Sequence, residues 1–182
     1  MKFISMAIPD VVLIHPDVHT DKRGFFMETY RENVFADHGI AQRFVQGNHS
    51  GSRQGTLRGL HYQIQQPQGK LVRVMTGKIF DVSVDLRASA PSFGRSVTVT
   101  LSAEKKQLLW VPPGFAHGFY VISESAEISY RTTDYHAPEW ERTLLWNDPE
   151  LKIDWPLIEG KQPLLSEKDA QGTTLELAEL YS

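Results

Sequence analysis

The sequence contains no cysteine. That absence excludes a disulfide framework, a thiolate nucleophile, a Cys-ligated zinc site and an iron–sulfur cluster. Long apolar runs are missing too. None approaches the ~20 residues of a membrane span, and the longest are short pieces such as Val11–Ile14 and Phe119–Ile122. Nor is there an excess of positive charge. Nineteen Lys/Arg against 22 Asp/Glu leave a net charge of −3, which argues against nucleic acid or an anionic membrane as partner and leaves room for a local basic pocket. The N-terminus meets Pro9 and Asp10 too early for a secretory apolar segment. A soluble, cytoplasmic chain is expected.

What is left for acid–base or ligand chemistry is imidazole, carboxylate, phenol and amine. The seven histidines are His15, His19, His38, His49, His61, His117 and His136. No repeat, charge block or low-complexity linker divides the 182 residues, of which 41% are apolar. One domain, 1–182, is expected, because a chain of this size buries roughly 70% of its unfolded surface.

Two-residue alternation dominates the middle of the chain. In Lys78–Arg87 the apolar Ile79/Phe80, Val82, Val84 and Leu86 interleave with Asp81, Ser83 and Asp85, the pattern of a half-buried strand. Val97, Val99 and Leu101 alternate with Ser96, Thr98, Thr100 and Ser102 in the same way. Further strands are predicted at Thr56–Gln63, Lys70–Thr76, Gln107–Val111, His117–Ile122 and Glu127–Thr132. Turn signals separate them: Gln66-Pro67-Gln68-Gly69, Thr76-Gly77-Lys78, Pro91-Ser92-Phe93-Gly94 and Pro112-Pro113-Gly114. Helix is scarce. Tyr30–His38, stopped by Gly39, and Thr173–Tyr181 are the candidates, and Ser166-Glu167-Lys168-Asp169 reads as a helix N-cap. The fold class is mainly β, an antiparallel sandwich or barrel with short peripheral helices.

Two segments concentrate chemistry. In Gly55–Gln63, Arg58 and His61 interrupt an apolar strand. They have opposite parity in a regular strand, and a bulge at Gly59 would turn both toward one cavity. Lys70 and Arg73 follow on the next strand, so several cations are expected on one face, where an anionic ligand would offset the cost of burying them. The ordinary alternative for His61 is a hydrogen-bonded core histidine. In Val111–Phe119 a Pro-Pro-Gly turn delivers His117 to the start of a strand, as in the second motif of cupin jelly rolls. Metal-binding cupins need a His-x-His pair and a Glu on the earlier motif, and here His61-Tyr62-Gln63 stands in its place. A metal site remains the runner-up, conditional on His49, His61 and His117 converging. Tyr130 shares the apolar parity of Ala126 and Ile128, which suits either packing or a phenol facing a cavity. Asp169 suits either a helix cap or a carboxylate handed to a histidine.

Eight landmarks recur in order: Asp21-Lys22-Arg23-Gly24-Phe25-Phe26-Met27-Glu28, Gln46-Gly47-Asn48-His49-Ser50, Leu57-Arg58-Gly59-Leu60-His61-Tyr62-Gln63, Gln68-Gly69-Lys70-Leu71-Val72-Arg73, Phe80–Arg87, Pro113–Phe119, Leu145-Trp146-Asn147-Asp148 and Leu165–Ala170. Together they resemble the dTDP-4-dehydrorhamnose 3,5-epimerases of nucleotide-sugar biosynthesis, from about Ile8 to Ala170. The resemblance implies a cupin-type jelly roll and a homodimer with sites shared across the interface. It implies no metal and no cofactor. The implied substrate is dTDP-4-dehydro-6-deoxy-D-glucose and the implied product dTDP-4-dehydro-L-rhamnose.

By motif position, the resemblance makes His61 the catalytic base, Asp169 its partner, Tyr130 the proton donor on the opposite face and Lys70 the cation at the C4 carbonyl. It puts Arg23, Phe26, Glu28, Gln46, Gly47, Asn48, Arg58, His117, His136, Glu141 and Lys168 around nucleotide and sugar, with Arg23 and Glu28 reaching across the dimer. Gly47 stands where the family usually has Asp, and His136 where a Tyr commonly stacks on thymine. The chemistry agrees with these roles. Protons at C3 and C5 become removable when an ammonium stabilises the enolate, and an imidazole titrates near working pH. Inversion requires a base and an acid on opposite walls, and forked guanidinium donors suit a diphosphate. The other readings are a mono-epimerase or ketoisomerase of a related dTDP-sugar, and a non-catalytic nucleotide-sugar-binding cupin.

Overall fold

The computed structural model describes residues Met1–Ser182, and strands are its main regular element. They are β1 (Lys2–Ser5), β2 (Val12–His15), β3 (Val18–Asp21), β4 (Gly24–Met27), β5 (Gln46–Arg53), β6 (Leu57–Gln63), β7 (Lys70–Thr76), β8 (Lys78–Asp85), β9 (Ser96–Ser102), β10 (Leu108–Val111), β11 (Phe115–Val121), β12 (Ser125–Thr132) and β13 (Glu141–Thr143). Two short α-helices accompany them, α1 (Glu32–Asp37) and α2 (Glu167–Ala170). The strands form a six-stranded sheet in the order β1-β2-β10-β7-β12-β5 and a five-stranded sheet in the order β13-β6-β11-β8-β9, with β3-β4 as a separate hairpin. Pairing within these sheets is antiparallel throughout. The mainly β, jelly-roll expectation agrees with this architecture.

Side-chain parity sorts the core into three layers. Between the sheets lie Val72, Val74, Leu109, Val111, Ala126 and Ile128 from one side and Ile79, Val97, Leu101, Phe115, Phe119 and Val121 from the other. The outer face of the five-stranded sheet presents Leu57, Leu60, Val82, Val84, Ala116 and Tyr120, which the C-terminal third covers with Leu144, Trp146, Leu151 and Trp155. On the outer face of the six-stranded sheet, α1 seals Ile14, Leu71, Leu108 and Trp110 with Phe35.

Three expectations need correction. The strand over Lys78–Arg87 is buried on both faces, not one. Asp81, Ser83 and Asp85 have the parity of Ile79, which packs between the sheets, and are inaccessible, while the C-terminal segment covers the opposite, apolar face of Val82, Val84 and Leu86. Thr173–Tyr181 is not an α-helix. Its groups bond across the chain instead: Leu175 N–H donates to the Asp148 carboxylate, Tyr181 N–H to Leu86 O, and Glu179 O accepts from the Tyr62 hydroxyl. One 3₁₀ turn at Leu175–Leu177 is all that forms. Finally, Gln46–Arg53 carries no apolar alternation yet is a strand, since its inward side chains line a polar cavity.

Candidate active site

One end of the sandwich interior is polar. Continuing inward past Val72 and Ile128, the six-stranded sheet contributes Lys70 and Tyr130, with Asn48 opposite Tyr130 on the edge strand. The five-stranded sheet contributes His61 and His117, which are register partners in β6 and β11. The result is a cavity of about 330 Å³ whose walls include Gln46, Asn48, Arg58, His61, Lys70, His117, Tyr130, His136, Glu141 and Lys168.

Gly59 decides how β6 reaches this cavity. His61 pairs with His117 and Arg58 with Phe119, so three steps on β6 oppose two on β11. That extra residue is a bulge, and it brings Arg58 to the wall that His61 occupies, as expected. Gly59 sits at φ +127°, and a Cβ there would stand 2.6 Å from Gly118 Cα. The two glycines therefore permit a backbone approach that no side chain would allow.

His61 Nε2 lies 2.5 Å from Asp169 Oδ1. A carboxylate only accepts, so Nε2 carries the hydrogen and Nδ1 holds the lone pair. Asp169 belongs to α2, capped by Ser166, whose Oγ accepts from Asp169 N–H and donates to Asp169 Oδ2 at 2.7 Å. Gly59 N–H donates to Oδ1 at 3.3 Å. Cap and dyad partner are thus one residue pair performing both tasks. Burial pulls the His61 pKa down more than Asp169 raises it, so the ring is a neutral base. Burial alone would raise Asp169, but hydrogen bonds from His61, Ser166 and Gly59 outweigh it and keep the carboxyl below the usual range.

Lys70 is buried, and its Nζ donates to His61 O at 3.1 Å. Burial lowers its pKa to about 8, against the pull of Glu141 and Asp81. Burial also raises Tyr130, keeping the phenol protonated at neutral pH. At the mouth, Lys168 Nζ meets Glu141 Oε2 at 2.9 Å, and this pairing outweighs burial to hold Glu141 ionised.

A second imidazole–carboxylate pair was not legible in the sequence. His117 donates Nε2–H to Asp81, 2.9 Å and 3.0 Å from its two oxygens. The alternation in Lys78–Arg87 predicts Asp81 on the solvent face of a half-buried strand. The signal for it was the inward parity it shares with Ile79. Gln63 and Gln68 also reach the cavity and were not singled out.

Several expected residues lie elsewhere in the chain's own fold. Arg73 has the opposite parity from Lys70 and faces outward beside Thr29, Met75 and Leu108, so it adds no charge to the cavity. His49 also faces away, paired with Glu127 at 3.1 Å, and the three imidazoles of the metal reading do not converge. Gly47 borders a separate surface groove with Tyr30 and Arg131. Arg23, Phe26 and Glu28 sit on or beside the β3-β4 hairpin, outside the cavity: Arg23 pairs with Asp21, Glu28 with Arg31, and Phe26 is 72% exposed.

The sequence profile described as dTDP-4-dehydrorhamnose 3,5-epimerase matches residues 5–176. A dTDP-4-dehydrorhamnose 3,5-epimerase from Pseudomonas aeruginosa is 57% identical over 182 residues, covering 100% of this chain and 99% of the relative. Among solved structures, the dTDP-6-deoxy-D-glucose-3,5-epimerase of Legionella pneumophila in complex with dTDP-4-keto-L-rhamnose superposes with a TM-score of 0.95 at 48% identity, covering 99% of this chain and 97% of that one. The dTDP-4-dehydrorhamnose 3,5-epimerase of Elizabethkingia anophelis gives a TM-score of 0.92 at 42% identity, with 97% of both chains covered.

Proposed function

The chain belongs to the dTDP-4-dehydrorhamnose 3,5-epimerase family, and from that premise we propose how its residues carry out the reaction. It is an isomerase that converts dTDP-4-dehydro-6-deoxy-D-glucose to dTDP-4-dehydro-L-rhamnose by inverting C3 and C5 beside the C4 ketone. The observation that carries the assignment of roles is the opposition of His61, backed by Asp169, to Tyr130 from the other sheet, in one cavity with Lys70.

His61 Nδ1 takes the proton from the carbon beside the ketone, and the electron pair moves onto O4. The Lys70 ammonium stabilises that oxyanion in a water-poor cavity, where a fixed charge acts most strongly. Tyr130 returns a proton to the opposite face, which inverts the centre. Solvent exchange then restores neutral His61 and protonated Tyr130, and the same groups act at the second carbon. Arg58 suits the diphosphate, with Gln46, Asn48 and His136 toward the nucleoside and His117, Glu141 and Lys168 around the sugar. No redox cofactor is required, because the substrate already contains the ketone.

The homodimer belongs to this reading too. Phe25 and Phe26 are exposed on a hairpin that joins no other strand of its chain, and a second copy would cover them while lending Arg23, Phe26 and Glu28 to the site. A cytoplasmic location suits a substrate that is an activated nucleotide sugar.

The test is NMR of dTDP-4-dehydro-6-deoxyglucose with the protein in heavy water. Deuterium at both C3 and C5 is expected, with a rate that EDTA leaves unchanged. Entry at one carbon reduces the activity to a mono-epimerase, and no entry at all rejects catalysis on this substrate.

A further inference from the structure

Gln63 stands where a metal-binding jelly roll carries the second imidazole of its His-x-His pair, and its surroundings give it a different task. It is 3% exposed and shares the inward parity of His61. Its hydrogen-bonding capacity is spent on the rim. Nε2 donates to Gln66 O at 2.8 Å and to Tyr135 O at 3.1 Å, and Oε1 accepts from Ala137 N–H at 2.9 Å. Two of these three partners lie in the loop 133–137, which leaves β12 just past Tyr130 and leads toward Glu141 on β13.

The same loop is tied at two more points by amides from the cavity wall. Gln68 Nε2 donates to Asp134 O at 3.0 Å, and Gln46 Oε1 accepts from His136 N–H at 3.0 Å. Between these ties the His136 ring faces the cavity, 3.7 Å from Glu141. Loops without such anchors sample many conformations, and each lost backbone partner frees the segment further. An amide is also indifferent to pH, so this anchoring persists across the range in which an imidazole at the same position would gain charge.

We propose that Gln63 is a positioning residue: by fixing the loop 133–137 it holds His136 against the nucleoside end of the substrate. The inference rests on the nucleotide-sugar reading above. It separates affinity from chemistry, because the loop contacts neither His61 nor Lys70 through any hydrogen bond.

Gln63→Met keeps the length and removes all three hydrogen bonds. The expected result is a rise of about tenfold in KM for the dTDP-sugar and in Kd for dTDP by calorimetry, with kcat at saturation changed less than ~3-fold. Gln63→Glu keeps the acceptor for Ala137 and loses both donors, so it should show the same split, and it decides the matter if the Met variant fails to fold. His136→Ala should mimic the effect, and the double variant Gln63→Met/His136→Ala should be no worse than His136→Ala alone. Unchanged KM, a fall in kcat at constant KM, or additive effects in the double variant would overturn the role of Gln63. Wild-type protein that neither binds dTDP nor turns over the sugar overturns the nucleotide-sugar reading, and the inference with it.

Discussion

His61 and His117 are register partners on adjacent strands, and each donates its Nε2–H to a different carboxylate. Asp169 comes to His61 from a helix 108 residues further along the chain. Asp81 comes to His117 from the next strand of the same sheet. Both rings are thereby fixed in tautomer and orientation, but their exposure differs. The His61 side chain is 26% accessible and His117 only 9%, which suits the first to proton transfer and the second to a contact.

The first prediction concerns the His61–Asp169 dyad. His61→Ala should abolish deuterium exchange. Asp169→Asn should lower kcat by ~10²–10⁴-fold with little change in KM, because an amide can donate to Nε2 and drive the hydrogen onto Nδ1. Ser166→Ala should cost about 1 kcal/mol of stability through the lost cap, measured by urea unfolding. An exchange rate that survives His61→Ala would mean another group is the base.

Activity should depend on pH at two edges. Burial disfavours the His61 imidazolium and sets its pKa below the ordinary imidazole value, so kcat/KM rises with pH along an acid limb shifted below that of a free imidazole. Lys70 is an ammonium below about 8 and loses its charge above it, so kcat/KM falls again on that side. A Lys70→Arg variant retains charge at high pH, and whatever activity it has should lose the alkaline edge. The same edge persisting in that variant would assign it to a different group.

Removing the phenol should uncouple the two halves of inversion. Tyr130→Phe leaves base and oxyanion partner intact, so proton removal continues while delivery to the opposite face stalls. Deuterium should wash into the starting sugar faster than epimer accumulates. An equal loss of both rates would remove Tyr130 from the donor role.

Gly59→Ala probes the bulge. Its Cβ would collide with Gly118 Cα at 2.6 Å and His117 O at 2.9 Å, both backbone atoms that cannot step aside. Overpacking of this kind costs about 1–3 kcal/mol, and a side chain at a φ that only glycine adopts readily adds strain of about 1–3 kcal/mol. The Tm should drop by several degrees, with catalysis lost as His61 shifts. A variant as stable and active as wild type would show that β6 has another register available.

The exposed hairpin gives the last prediction. Phe26→Asp puts a charge on a surface proposed to meet a second copy. Sedimentation should report a monomer, and the KM for the dTDP-sugar should rise as Arg23 and Glu28 are withdrawn. A dimer that persists with unchanged KM would place the interface elsewhere.

Much of this was legible before any fold was known. Alternation in Lys78–Arg87 and Ser96–Ser102, punctuated by Gly and Pro turns, demands antiparallel strands, because only a pleated chain puts such residues on one face. His61 and Lys70 stand out as chargeable groups within apolar strands, and Tyr130 as a polar group at apolar parity. The pattern of Thr173–Tyr181 predicts a helix that does not form, because local pattern is silent about which distant groups will accept its backbone N–H. Gln46–Arg53 was missed for a related reason: its inward side chains are polar, so the cavity they line erased the apolar signature of the strand.

Composition settles which chemistry is on hand. Without cysteine, acid–base work falls to imidazole, phenol, carboxylate and amine, and periodicity places these groups on strands. Tertiary structure alone decided which of them meet. Parity turned Lys70 inward and Arg73 outward, the Gly59–Gly118 contact realigned Arg58 with His61, and the docking of a capped four-residue helix set Asp169 against His61. Periodicity is a property of neighbours in the chain. A 2.5 Å contact between His61 and Asp169, 108 residues apart, depends on how whole sheets and their covering segments pack, and only the folded chain specifies that.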